Sequence, residues 1–503
     1  MSEITLESKN CQSVSTSVTE KKKYFTNRSK YIHSFVGIAF MFGFPLLNPI
    51  EPITEIGMHI LAIFIGMVYL WSTVNSIWPS ILGLLLMTIS GFATMTEVAV
   101  GAFGTDIAVL MLLSMVFFGG VEYAGCTQYM ARWFVTRKII DGRPYIFLFI
   151  FFLGSYFLSG LTDPIASLFI LWPIAVEFLQ ELGVKKDEKA YAVTIFGIYL
   201  AATLGQPMFP FKGAALVCVA TFESLSGIQV NYLAYVLVNI ILSVIMLAVF
   251  MLLVKFIFKP DLRGFQKINV EQFKKNPLPP MNLQQKLFFI SIFAYIIFLL
   301  APSILPRTWF ITEMLSRMGV LGITFLFVIL LMIIHVDGKP VLPFGTVAAK
   351  SISWDVYFLV VAALYGANAV SNDITGIKAW LLQVLEPLLG NKPDVIFIAL
   401  LLFFIATVTN IANNAGMVVI LIPIVLAFSE QYPAVEPVTL SMLITFLAFF
   451  SILTPAASPY AGMLHARRDL IHVSDILKMG FPFVIIGVVL YTTIGYQLAK
   501  LFF

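Results

Sequence analysis

Charged residues are scarce in this chain: 12% of its 503 residues are Asp, Glu, Lys or Arg, against 59% that are hydrophobic. A soluble domain carries roughly 25% charged residues, so this composition excludes one. Cysteine is scarcer still. Cys11, Cys126 and Cys218 are scattered and odd in number, which excludes a disulfide framework and leaves them as small apolar fillers. The histidines show no metal-ligand spacing; His33, His59, His335 and His472 stand without a partner. No nucleophile–base pair, zinc motif or cofactor fingerprint supports a membrane enzyme, no cofactor is expected, and no basic stripe calls for nucleic acid. The opening residues do not read as a secretory leader. Residues 1–30 are polar and lack the charged, apolar and cleavage regions of a signal peptide. They read as a disordered basic tail, with Lys21, Lys22, Lys23, Arg28 and Lys30 holding the N-terminus in the cytoplasm.

What the chain does have is long apolar runs, with 47 phenylalanines among them. They predict an all-α polytopic membrane protein of about 11 transmembrane helices plus two re-entrant hairpins, at ~20 residues per crossing. Residues 31–258 form a first half and 287–503 a second. The basic, proline-containing stretch 259–286 between them, with Pro277, Pro279 and Pro280, reads as a cytoplasmic linker. The run from Ile107 to Val121 is short for a crossing. Gly119 and Gly120 close it and an amphipathic Tyr129–Phe134 stretch follows, a pattern that predicts a hairpin turning back inside the membrane. Glu122 and Asp373 then fall at the interface, where Trp71, Trp78 and Trp133 serve as anchors.

One signature occurs twice. Ser159-Gly160-Leu161-Thr162-Asp163-Pro164 leads into an apolar run through Pro173, and Thr409-Asn410-Ile411-Ala412-Asn413-Asn414 leads into one through Pro423. In register, Ile170/Ile420, Leu171/Leu421, Pro173/Pro423, Ile174/Ile424 and Phe178/Phe428 are identical. Asp106 has its counterpart in Asp355, and the break Leu204-Gly205-Gln206-Pro207 has one in Leu453-Thr454-Pro455-Ala456. Each half therefore carries, in order, a hairpin, a polar break and a Pro-rich break. Polar interruptions at corresponding places in two halves are the best sequence pointer to a transporter's binding site. With the linker inside and an odd number of spans per half, the repeats are inverted.

A helix broken in the membrane frees N–H and C=O groups that cost several kcal/mol each in hydrocarbon, so a break faces protein, water or a ligand. Helix N-termini present positive dipole ends to anions, while loose carbonyls and side-chain oxygens suit small cations. Ser159, Thr162, Asp163, Gly205, Asn410, Asn413, Asn414, Thr454 and Pro455 are the candidate substrate- and ion-binding residues on this ground. Asp163 is the sharpest, as an ionisable residue inside the membrane; it also suits the N-cap of a helix that starts at Pro164. Lys212, just past the first Pro-rich break, either pairs with Asp163, binds an anion directly, or snorkels to the interface.

The repeated order of hairpin, polar break and Pro-rich break resembles the divalent anion:sodium symporter family of the ion transporter superfamily, from about residue 31 onward. In that family each half carries a Ser-Asn-Thr motif ahead of an apolar run ending in Pro. Counting back from Pro423 places Asn413-Asn414-Ala415 on one motif, and counting back from Pro173 places Asp163-Pro164-Ile165 on the other. Neither is Ser-Asn-Thr; Asn414 alone keeps the expected type. The later Thr-Pro-Pro-type breaks correspond to Gly205-Gln206-Pro207 and Thr454-Pro455-Ala456. The resemblance implies secondary transport of small di- or tricarboxylate-like anions, by sodium symport or anion exchange, with sodium near Asp163 and Asn413. It also implies a homodimer and an elevator-like movement. A cation/proton antiporter with Asp163 as carrier carboxylate is the alternative within the superfamily. The expected location is a bacterial-type inner membrane.

Overall fold

Backbone polar groups in lipid must be satisfied within the chain, and a helix does this segment by segment. The computed structural model describes residues 28–135, 142–267, 279–306, 308–410, 414–429, 431–455 and 457–503. These are helical throughout except for turns, loops and one short hairpin of β1 (His335–Val336) and β2 (Lys339–Pro340). Helix α1 covers 28–43, taking in the last residues of the stretch expected as tail. The first half continues with α2 (Glu55–Thr73), α3 (Ile77–Ile89), α4 (Met95–Phe103), α5 (Asp106–Tyr123) and α6 (Cys126–Val135). It ends with α7 (Pro144–Leu161), α8 (Pro164–Glu181), α9 (Lys189–Gly205), α10 (Gly213–Ser226) and α11 (Tyr232–Leu253). The second half comprises α12 (Leu283–Ile304), α13 (Phe310–Ile333), α14 (Phe344–Ser351), α15 (Trp354–Ser371) and α16 (Ile377–Leu389). It continues with α17 (Asp394–Val408), α18 (Asn414–Phe428), α19 (Pro437–Ala448), α20 (Pro459–Ala466), α21 (Val473–Leu490) and α22 (Tyr496–Lys500). Among the described residues ten helices are long and apolar enough to cross a membrane, or up to eleven if α16 and α17, bent by 111°, make one span.

The repeat is written in the helices themselves. From α2 to α11, each has a counterpart ten elements later. The short α4 and α14 precede the 18-residue α5 and α15, and Pro173 and Pro423 sit inside α8 and α18. The packing is reciprocal: α5 lies against α12, α13 and α14, and α15 against α2, α3 and α4. Each half thus holds the other's long hairpin helix, as a two-fold relation between halves requires.

Three local expectations change. Gly119 does not close the Ile107–Val121 run, because α5 continues through it to Tyr123; a Cβ there would stand 1.9 Å from Ser351 Oγ of α14. Its role is close helix approach. Trp71 is buried rather than interfacial, and its indole N–H donates to Ser80 Oγ at 3.0 Å; Trp133 is exposed. The linker, part of which lies outside the described residues, is tethered to the fold: Phe265 is fully buried against Phe147 and Phe178.

The crossing that positions the site is α7 on α9. Small residues let the backbones close on each other, as at other membrane helix pairs. Ser155 Oγ donates to Ile198 O at 2.7 Å and Ser159 Oγ to Ala202 O at 2.6 Å. At Gly205 a Cβ would lie 2.1 Å from the Tyr156 carbonyl oxygen.

Candidate functional site

The first polar break separates α7 from α8. Asp163 is the N-cap of α8, its Oδ1 accepting from Ile165 N at 2.8 Å with Pro164 at the first helical position. Thr162 Oγ1 donates back to Leu158 O at 2.7 Å. The hydroxyl protons of Ser159 and Thr162 are therefore used within the fold, and Asp163 is half-buried.

Lys212 reaches this break from the start of α10, beyond the 3-10 turn Gln206–Met208. Its ammonium donates to Gly160 O at 3.0 Å and Ser159 O at 3.3 Å, carbonyls of the last turn of α7. Such carbonyls lack helical partners and carry the negative end of the helix dipole, so a cation is stabilised there. The Phe118 ring lies 5.1 Å below it, a distance at which an aromatic face attracts a cation. The charges of Asp163 and Glu122 also act on Lys212. Among the described residues no carboxylate comes within ion-pair distance of it. Lys212 is thus seated on carbonyls inside the fold rather than snorkelling outward, and Glu122, expected at the interface, is exposed.

The second polar break, between α17 and α18, centres on the buried Asn410. Its Nδ2 donates to Ala406 O at 2.6 Å and Phe450 O at 3.0 Å. Its Oδ1 accepts from Ile452 N at 2.8 Å and Leu453 N at 2.7 Å, and its backbone carbonyl accepts from Thr454 Oγ1 at 2.5 Å. An amide side chain has two donors and two lone pairs to offer, and here all are used. Asn410 ties the polar break to the second Pro-rich break. Asn413 lies outside the described residues; Asn414 is buried at the start of α18, and Pro455 is exposed.

The two halves meet at these breaks. Gln206 Nε2 donates to Tyr460 OH across the halves, and Tyr199 OH of α9 donates to Ser451 O at 3.1 Å. The Tyr460 hydroxyl also lies within the electrostatic influence of Asp163. Three buried oxygens here find no hydrogen-bond partner among the described residues: Thr409 Oγ1, Ser451 Oγ and Gln206 Oε1. Buried polar atoms are nearly always paired, so each orphan marks a place for something polar. These three and Tyr460 were not among the sequence candidates; Thr409 and Gln206 stand inside the repeated motifs and carried that signal. Beyond α20, Arg467 bonds Asp469 at 2.9 Å, and those bonds hold the Asp469 carboxyl below its ordinary pKa. Its charge is locally matched rather than free to gather anions.

Asp163→Asn separates cap from charge, since Asn caps as well as Asp. We expect the melting temperature of the purified variant to stay within a few degrees of wild type while uptake falls at least about tenfold, a loss of ~1.4 kcal/mol. Undiminished uptake would reduce Asp163 to a cap.

Broken helices in two matched halves, meeting around buried polar groups in a chain of ten or more apolar helices among the described residues, fit the class of polytopic membrane transporters. Residues 28–503 match the family described as the sodium:sulfate symporter transmembrane region, and the chain belongs to that family of anion transporters. Similar curated proteins include rat solute carrier family 13 member 1, 28% identical over 135 residues, 27% of this chain and 22% of that protein. The mouse Na(+)/citrate cotransporter is 25% identical over 142 residues, 28% of this chain and 24% of that one. An uncharacterized transporter of Synechocystis is 26% identical over 215 residues, covering 42% and 31%. The matched stretches thus span less than a third of these relatives' length. Among solved structures, the Alcanivorax borkumensis YdaH transporter shares the fold, with a TM-score of 0.56 at 14% identity over 88% of this chain and 98% of that one.

Proposed function

We propose that the protein carries a small di- or tricarboxylate-like anion across the membrane in symport with sodium. The observation behind this reading is the meeting of four helix breaks around orphaned buried oxygens in a chain of the sodium:sulfate symporter family. The N-terminus of α8 beside Asp163 and that of α18 at Asn414 offer dipole ends to carboxylates. The proposed binding surface comprises Ser159, Thr162, Asp163, Gly205, Lys212, Asn410, Asn413, Asn414, Thr454 and Pro455, with Thr409, Ser451 and Gln206 supplying free oxygens. Asn410 and Gly205 act in it by holding the breaks in place. Sodium coordination falls to the second break, where Thr409 has a hydroxyl to spare. The protein works as a homodimer in a bacterial-type inner membrane with its N-terminus in the cytoplasm, one part of each subunit carrying the breaks past a fixed scaffold.

Uptake of labelled succinate, citrate and sulfate into proteoliposomes tests this, with and without a sodium gradient and with and without internal anion. We expect uptake of at least one carboxylate to rise with the sodium gradient. Uptake that needs internal anion alone would replace symport by exchange. If all three anions stay outside while sodium leaves in a pH-dependent way, the antiporter alternative stands instead.

A further inference from the structure

We infer that Lys212 is a built-in cation occupying the place where the first polar break would otherwise bind sodium, so that the first half has no sodium site. The inference deepens the reading above and rests on it. Carbonyls at the C-terminal end of a broken membrane helix are the groups that hold a small coupling cation. At the first break these are Ser159 O and Gly160 O, and both already accept from the Lys212 ammonium, at 3.3 and 3.0 Å. Ser159 Oγ and Thr162 Oγ1 donate their protons to Ala202 O and Leu158 O, which fixes where their lone pairs point, so the competition for this position rests on the two carbonyls. The Phe118 ring closes the position on another side, 5.1 Å from the ammonium. The residues present do not fit sodium here; they fit the charge that sodium would bring.

A tethered cation is present in every molecule whatever the sodium concentration, so it adds a fixed competitor at this position. The two breaks are consequently unequal. At the second, the buried Thr409 Oγ1 has no hydrogen-bond partner among the described residues, whereas the carbonyls that end α7 at the first already hold an ammonium. Two features of the chain serve this arrangement. The Pro-rich turn Gln206–Met208 ends α9 early, and an extended Lys212 backbone (φ −140°, ψ 140°) then sends the side chain back to α7.

The test is equilibrium binding of radioactive sodium to purified protein, which does not depend on finding the transported anion. Wild type should bind one sodium ion per protomer or none, and two would overturn the inference, because each break would then hold one. Lys212→Ala should gain one sodium relative to wild type, and sodium should stimulate its anion uptake at least about fivefold more, the lower end of ordinary site coupling. Lys212→Arg should keep the wild-type count. A folded Lys212→Ala that gains no sodium overturns the inference; if that variant does not fold, the wild-type stoichiometry decides. Failure of anion uptake in every protein would sink the proposed substrate and leave the sodium counts to judge Lys212.

Discussion

Asn410→Ala should cost the protein much of its folded stability, and lose transport for that reason. The side chain joins two elements that local sequence does not connect: the polar break after α17 and the Pro-rich break after α19. Removing it strips the Ile452 and Leu453 N–H groups of their shared acceptor and the Ala406 and Phe450 carbonyls of a donor. A buried group left unpaired costs ~1–3 kcal/mol, so the two N–H groups alone account for roughly 2–6 kcal/mol. That is a large share of the 5–15 kcal/mol that typically separates folded from unfolded protein. Asn410→Asp keeps the acceptor for the two N–H groups and loses the donors, so it should fall between wild type and alanine. Thermal melting in detergent, read beside uptake, checks the series. An alanine variant that melts like wild type yet carries nothing would show that Asn410 touches the solute instead of positioning the break.

Gly205→Val should be still harder to accommodate. A Cβ at this position meets the Tyr156 carbonyl oxygen at 2.1 Å and the Tyr156 Cα at 3.1 Å. A flexible side chain can move aside; here the obstacle is the backbone of the partner helix, so α7 and α9 must separate. Overpacking a well-packed contact costs about 1–3 kcal/mol even where side chains can adjust. Separation would also stretch the Ser155 and Ser159 bonds across the same crossing. We expect the variant to be recovered mainly as aggregate in size-exclusion chromatography. Gly345→Ala is the contrast, because nothing lies within 4 Å of its Cβ position in α14. There the better helix propensity of alanine should be neutral or stabilising by up to ~1 kcal/mol. A monodisperse, active Gly205→Val protein would mean that the crossing is looser than its geometry shows.

The residues differ in how far their roles could be read from the chain alone. Asp163 before Pro164 announced both a helix start and a charge in the membrane, and the cap is there in the structure. The matching positions of Pro173 and Pro423 announced the paired helices α8 and α18, because proline inside an apolar run is rare enough to be noticed. Gly119 misled: a glycine near the end of an apolar run looks the same whether it ends a helix or admits a neighbour. Glu122 carried less ambiguity: a carboxylate one residue from a helix end suits an interface, and it is exposed at the end of α5. Thr409 was visible within its motif but gave no sign that its buried hydroxyl would find no partner among the described residues.

The sequence by itself determined the membrane class, the division into two matching halves and the positions of the breaks. These depend on apolar runs and the residues that interrupt them, which act over one or two helical turns. Tertiary structure alone decided that α5 and α15 are held by the opposite halves, that the breaks meet, and that Lys212 sits on the carbonyls of α7. It also decided which polar groups are used up: Ser159 bonds a carbonyl 43 residues away, and Asn410 reaches across 42 residues to Ile452. A small polar residue in an apolar run has the same local signature whether it bonds the next helix or a ligand. Only the packing of one helix on another settles which bond it makes.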